Sequence, residues 1–247
     1  MKIREIKAKS ILSKSQVYDY ALNPYVGCEH ACVYCYAKFM KRFTGHTESW
    51  GEFVDVKINA TELLAHEVKR KKVGRVWISG VCDPYQPLER KFKLTKRCLD
   101  ILVENGWPFT VQTKSSLVLR DIDTLKKSKD AEVGFTITTA DEKMRSIFEP
   151  GAPPSKKRIE ALANLHSEGI RTFAMIAPIL PGAEELVGAL KGKVDYVILD
   201  RLNYHYADWV YKRYGLQWAM EDSFFSQKGK ELNMAFEREG IPCQVVF

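Results

Sequence analysis

No stretch of the 247-residue sequence approaches the roughly 18 consecutive apolar residues of a membrane span, and the basic start MKIREIKAKSILSKSQ has no apolar run behind it. A membrane protein and a secreted precursor are therefore not expected, and the protein is read as cytoplasmic. Internal repeats, low-complexity tracts and Pro/Ser linkers are missing too, so one domain over 1–247 is expected. Charge of one sign is in only modest excess: 38 Lys and Arg against 31 Asp and Glu give +7. That balance permits an anionic partner but lacks the basic stripe of a dedicated nucleic-acid binder. With 45% hydrophobic and 28% charged residues, disordered and fibrous classes are excluded. A second cysteine knuckle is also absent. Of the six cysteines, Cys28, Cys32 and Cys35 crowd together while Cys82, Cys98 and Cys243 lie scattered. This distribution predicts thiolate ligands in a reducing compartment, not a disulfide framework.

What is present is an alternation of short apolar runs and amphipathic segments, the pattern of parallel βα units. Strands are expected over 17–22, 75–79, 109–112, 132–138, 172–177 and 196–199. The segment 94–104 reads as a helix with Leu94, Cys98, Ile101 and Leu102 inward and Gly106 as its stop. The segment 155–168 reads alike, with Ile159, Leu162 and Leu165 inward and Gly169 as the stop. Asn59 followed by Glu62 resembles a capping box opening a helix through Val68. Six βα units predict an α/β fold, a partial (β/α)6 barrel of the TIM type open on one side, with a doubly wound sheet as the rival. Beyond about residue 203 a short helical extension is expected. In parallel architectures chemistry sits where strands end, and the longest gap between strands begins with the cysteine cluster.

There, NPYVGCEHACVYCYA spaces Cys28, Cys32 and Cys35 as C-x3-C-x2-C. Structural zinc takes four ligands, usually from two knuckles, whereas an iron-sulfur cube bound by three cysteines leaves one iron open. Three buried structural cysteines, or zinc completed by His30, are the alternatives.

The segment resembles the radical S-adenosylmethionine superfamily, whose motif has this spacing with an aromatic residue before the third cysteine, here Tyr34. The further segments CDPYQPLE, QTKSS, FEPG and IAPILPG, in this order, are similar to the spore photoproduct lyase-like branch. The resemblance implies a [4Fe-4S] cluster on Cys28, Cys32 and Cys35, with S-adenosylmethionine chelating the fourth iron. Reductive cleavage would give a 5′-deoxyadenosyl radical that abstracts hydrogen from a substrate. It implies cofactor contacts at Ser79, Gly80, Cys82 and Asp83 after the second strand, with Asp83 accepting the methionine amine. Lys114 would pair with the methionine carboxylate. Thr136 and Thr138 would face the ribose or methionine, and Ala177 and Tyr34 the adenine. An electron donor such as a flavodoxin or ferredoxin is implied as a partner.

The likeness departs in two places. Only 27 residues precede Cys28, and the lyase's hydrogen-returning cysteine aligns with Gly80. Cys82 is then either a displaced hydrogen donor or a small cofactor contact, and thymine-dimer repair is not expected. Cys98 and Cys243 read as core and tail residues. Substrate candidates are Asp200, Arg201, Asn203 and Tyr204, directly after the sixth strand. Beyond them, Tyr211, Tyr214 and Trp218 have helical spacing suited to packing on the barrel, or, with Lys212 and Arg213, to binding a nucleic acid. The runs 69–72 and 156–158 read as solvated faces. A radical enzyme on a nucleic acid or nucleotide, one on a small metabolite or peptide, and a non-enzymatic zinc-stabilised binding module are the readings carried forward.

Overall fold

The computed structural model describes residues 1–247. Its strands are β1 (Lys2–Ile6), β2 (Leu12–Lys14), β3 (Tyr20–Leu22), β4 (Tyr25–Val26), β5 (Phe53–Lys57), β6 (Val76–Ile78), β7 (Phe109–Thr113), β8 (Ala131–Thr136), β9 (Arg171–Ile176), β10 (Tyr196–Leu199) and β11 (Cys243–Val245). Eight form one sheet in the order β11-β10-β9-β8-β7-β6-β3-β2, and β1-β5-β4 form another. The run from β3 to β10 contains the six expected core strands in sequence order. A doubly wound sheet would reverse that order at a switch point. The singly wound order is that of a barrel opened along one side, its edges β11 and β2. Pairs β3–β6, β6–β7, β9–β10 and β10–β11 are parallel, and β2 adds an antiparallel edge. No helix is long and apolar enough to cross a membrane.

The chain divides into two compact units, Met1–His30 with Ala37–Val133, and Ala31–Tyr36 with Gly134–Phe247. No linker marks the three crossings: two flank Ala31–Tyr36 in the cysteine loop and the third lies within β8. In the first unit, Tyr25, Val54, Val56, Leu88 and Leu94 pack into one core cluster. The helix Leu94–Glu104 buries Leu94, Cys98, Leu99 and Leu102, and Gly106 stops it at φ +68° with nothing within 4 Å of where a side chain would stand. The helix Ala60–Glu67 does begin at Asn59, but not with a capping box. The Asn59 side chain is spent on the Ala8 backbone, accepting from its N–H and donating to its carbonyl, each at 2.9 Å.

In the second unit, Phe148, Leu180, Ala207, Val210, Tyr211 and Ala219 form the core cluster. Gly134 on β8 lies under the Phe173 ring of β9, where a Cβ would come within 2.0 Å of it. The helix Ser155–Ser167 buries Leu162 and Leu165 as expected, and Gly169 ends it at φ +77°, again in open space. The extension is helical over Asp208–Arg213 and Asp222–Arg238, but its tail adds β11 alongside β10.

Candidate active site

The cysteine loop opens where β4 ends. Gly27 turns the chain at φ +90°, and a Cβ there would stand 2.3 Å from the Phe53 carbonyl oxygen, so only glycine fits. Cys28 and Cys32 are buried and Cys35 is half-buried. Ala31 takes φ +52°, and the Cys35 N–H donates to the Cys32 carbonyl at 3.2 Å. A non-glycine residue held left-handed costs about 1–3 kcal/mol and persists only where its surroundings impose it. This loop is therefore shaped against local preference.

None of the six cysteines is in a disulfide. No group of three or more His, Cys, Asp or Glu side chains is gathered as a metal site, so the fit of a cluster is judged on its donors. One loop offers three thiols, two of them screened from water, and soft thiolates in that number suit an iron-sulfur cube with three protein ligands. His30, which a zinc site would recruit, instead turns Nε2 to Asp83 Oδ2 at 3.1 Å.

The segment CDPYQPLE holds the first cysteine in place. Gln86, fully buried, accepts from the Glu29 N–H at 3.0 Å and donates to the Gly27 carbonyl at 3.2 Å, bracketing Cys28 from both sides. Glu29 in turn accepts from the Leu88 N–H at 2.7 Å. Asp83 takes three hydrogen bonds, from the Tyr85 N–H (2.8 Å) and Thr113 hydroxyl (2.6 Å) on Oδ1 and the Lys114 N–H (2.7 Å) on Oδ2, and His30 Nε2 lies 3.1 Å from Oδ2. Three of the roughly four acceptor sites of the carboxylate thus have a hydrogen-bond donor. Burial pushes the Asp83 pKa up, but His30 and these hydrogen bonds pull it down to about 2. Deeper in the unit, buried Glu89 accepts from the Tyr25 hydroxyl, the Thr95 N–H and Arg120, while the Tyr85 hydroxyl donates to Asp121.

Gln86→Leu removes both bonds to the cysteine loop and leaves the Glu29 N–H and Gly27 carbonyl unmet. A buried polar group without its partner costs about 1–3 kcal/mol, so the melting temperature is expected to fall by several degrees. Iron retained after reconstitution should fall with it, while Gln86→Glu, which keeps the acceptor, should retain more. A Leu variant matching the parent in melting temperature and iron would assign the clamp no role.

In the second unit, Tyr34 donates its hydroxyl to Glu149 of the FEPG segment. Glu149 is fully buried, accepts from the Thr138 hydroxyl at 3.3 Å and pairs with fully buried Arg158 at 2.5 Å. Arg158 also donates to the carbonyls of Thr136 and Pro153, and Arg145 donates to those of Glu149 and Ala152. Burial and the Glu149 carboxylate raise the Tyr34 pKa well above the usual phenol, so the ring stays neutral. Burial alone would lower the Arg158 pKa, yet Glu149 more than reverses this. The solvated face expected over 156–158 is thus corrected at its last residue. Lys156 and Lys157 are exposed, but Arg158 points inward to neutralise Glu149.

The other cofactor candidates lie at strand ends. Ser79 leaves β6 at φ +69°, buried, with its N–H bonded to the Leu22 carbonyl at 2.8 Å. At Gly80 a Cβ would stand 3.1 Å from the Trp77 ring. The Cys82 thiol donates to the Tyr25 carbonyl at 3.4 Å and lies 3.5 Å from the Ser79 hydroxyl; burial pushes its pKa up to about 12, so it is a protonated thiol at neutral pH. Lys114 follows β7, Thr136 ends β8, and Ala177 follows β9 half-buried. Asp200 follows β10, and burial raises its pKa. It accepts from the Arg201 N–H at 2.7 Å and the Asn203 amide at 3.0 Å. Arg201 pairs with Asp222, and Tyr204 is exposed. Sequence reasoning missed Gln86, Glu29, Glu149 and Arg158. Glu29, Gln86 and Glu149 lie within the motifs already noted and Arg158 in the basic run 156–158, but which side chain reaches which partner is a matter of tertiary approach.

A profile of the Radical SAM superfamily matches residues 22–185, a span that contains the cysteine loop and both networks. The chain belongs to the radical SAM superfamily. A functionally uncharacterised protein of Methanocaldococcus jannaschii is 36% identical over 209 residues, covering 82% of this chain and 78% of its own. Among solved radical SAM folds, spore photoproduct lyase complexed with dinucleoside spore photoproduct superposes with a TM-score of 0.71 at 16% identity, covering 98% of this chain and 81% of that one. Streptococcus suis SuiB bound to precursor peptide SuiA gives a TM-score of 0.63 at 15% identity over 92% and 48%. The chain spans only 56% of the length of viral and mycobacterial relatives. Superfamily membership implies a [4Fe-4S] cluster and S-adenosylmethionine, and identifies the protein as a radical SAM enzyme.

Proposed function

We propose that Cys28, Cys32 and Cys35 hold the [4Fe-4S] cluster and that the enzyme acts on a nucleic-acid substrate. The observation that carries the first part is the C-x3-C-x2-C loop inside the matched span, with Gln86 bonded to the backbone on either side of Cys28. When bound, cluster and cofactor supply reductive cleavage of S-adenosylmethionine and removal of a substrate hydrogen atom. The protein's share is to hold the parts and exclude water.

Lys114 offers its ammonium to the methionine carboxylate. Asp83, held by three hydrogen bonds with His30 beside it, serves as the tie between His30 and the ends of β6 and β7 and shares the methionine amine with the Ser79–Gly80 turn. Thr136 and Ala177 present the rims of β8 and β9 to the nucleoside, and Thr138 and Glu149 fix the Tyr34 ring toward adenine. The Cys82 thiol, protonated and tied to Tyr25, suits a small cofactor contact. Asp200, Arg201, Asn203 and Tyr204 stand for the substrate, and a flavodoxin or ferredoxin for the electron source. The nucleic-acid reading draws support from the dinucleoside in the lyase complex and from the +7 charge. A peptide substrate is favoured only by the SuiB likeness.

The test is anaerobic reconstitution with iron and sulfide followed by strong reductant in the presence of S-adenosylmethionine. Methionine and 5′-deoxyadenosine are expected, and deuterium from a labelled oligonucleotide should enter the 5′-deoxyadenosine. Stoichiometric zinc with no 5′-deoxyadenosine would sink the cluster assignment; release of unlabelled product alone would move the substrate elsewhere. Lys114→Met should weaken S-adenosylmethionine binding by roughly one to two orders of magnitude, the worth of a charge-assisted hydrogen bond of about 1.5–3 kcal/mol, with iron content unchanged. Equal affinity by equilibrium dialysis would place Lys114 on the solvated surface.

A further inference from the structure

Directly after Cys35, Tyr36 carries an exposed ring that stacks on Tyr204, centroids 6.1 Å apart and planes 23° from parallel. Tyr204 stacks on Tyr206 at 5.9 Å and 7°. The three remain 37%, 49% and 38% exposed, so the ladder does not serve to fill a core. Centroids about 6 Å apart are wider than rings in full face contact, which leaves ring surface uncovered along the ladder.

The same stretch resolves the two readings of its aromatics. Tyr211 packs inward against Phe148, as a barrel-covering helix residue should. Tyr214 and Trp218 do not: the helix ends at Arg213, and both rings, with Trp209, stay about half exposed. Concentrated exposed aromatic surface of this kind marks a binding face, because leaving it wet costs what burial would have gained. Lys212 and Arg213 in the same stretch are exposed, and Arg213 lies over the Tyr214 ring at 5.9 Å.

We propose that the Tyr36–Tyr204–Tyr206 ladder is a docking surface for unpaired bases of a single-stranded nucleic acid. The inference rests on the nucleic-acid reading above and gives it a place. The ring surface left exposed on the ladder offers aromatic faces to unpaired bases, and every base has a face to stack. Exposed Lys212 and Arg213 follow in the same stretch of a chain of net charge +7, and their charge complements phosphates. A protein partner would present mainly non-planar side chains and gain nothing from the parallel order.

The experiment uses reconstituted protein and a short fluorescein-labelled oligothymidylate, read by fluorescence anisotropy. The parent should bind, with affinity falling steeply as salt rises. Tyr204→Ala combined with Tyr206→Ala should weaken binding by about tenfold or more, whereas the corresponding double Phe variant, which keeps both rings, should stay within about twofold. Melting temperature and iron content report whether the Ala variant is folded. Photo-crosslinking a bromouracil oligonucleotide to the parent, followed by peptide mapping, tests the same contact without any substitution. Crosslinks at Tyr36, Tyr204 or Tyr206 support the surface. Parent binding that the Ala pair leaves unchanged, or crosslinks only elsewhere, overturns the surface while the nucleic-acid reading stands. If the parent binds neither DNA nor RNA oligonucleotides at low salt, surface and nucleic-acid substrate fall together, and the radical chemistry keeps its own separate test.

Discussion

Alanine at any one of positions 28, 32 or 35 is expected to abolish the cluster. Iron should fall from about four atoms per chain to near background, and reductive release of 5′-deoxyadenosine should vanish with it. The reasoning is one of ligand supply. On the proposed assignment the three thiols of this loop are the cluster's protein ligands, and two of them are buried, so water has poor access to replace a lost sulfur. Cys82 cannot move in, because its thiol is held at Tyr25 and Ser79. Cys98 is fully buried on its helix, and Cys98→Ala therefore serves as the control that should keep its iron. Iron and sulfide analysis with low-temperature electron paramagnetic resonance reads the outcome. A single loop variant that kept the parent spectrum would remove that cysteine from the ligand set.

The second large effect concerns folding. Arg158→Met leaves Glu149 buried beside Tyr34 without its counter-charge, and breaking a buried pair from one side costs about 3–5 kcal/mol. At about 2–4 °C per kcal/mol for a chain of this size, the melting temperature should drop by about ten degrees or more. Removing both charges should be gentler: Arg158→Met with Glu149→Leu eliminates the unpaired ion, although Tyr34 and Thr138 lose an acceptor. The double variant is thus expected to recover a substantial part of the loss, as chemical denaturation of the four proteins would show. A single variant within about 1 kcal/mol of the parent would contradict the ion pair's role.

Much of the scaffold was legible because the six core strands are apolar runs between periodic helices, a pattern that survives without tertiary knowledge. The strand β1 was not. Its sequence KIREI is largely exposed and charged, and it forms a strand only because β5 offers a parallel partner from Phe53 to Lys57. The β5 sequence FVDVK hides its character behind Asp55, a buried carboxylate paired with Arg4 at 2.8 Å and His46 at 2.8 Å. Buried charge is the general reason the reading ran out. Arg158 looks like the third member of a basic surface run until Glu149 is placed beside it. The cysteine spacing was readable because it is written locally, and it lies inside the span that matches the superfamily. The clamp on that spacing was not, because Gln86 and Gly27 are 59 positions apart and meet through a hydrogen bond from the Gln86 side-chain amide to the Gly27 carbonyl.

The turns at Gly106 and Gly169 enter β7 and β9 from the ends opposite those that carry Lys114 and Ala177. Each has open space around its glycine. Chain length is therefore cheap there, since a flexible loop grows at little entropic cost. Those two turns are the places to insert an epitope or a fluorophore-bearing peptide for following the enzyme in cells or anchoring it for electron delivery, with the strand ends that face the chemistry left as they are.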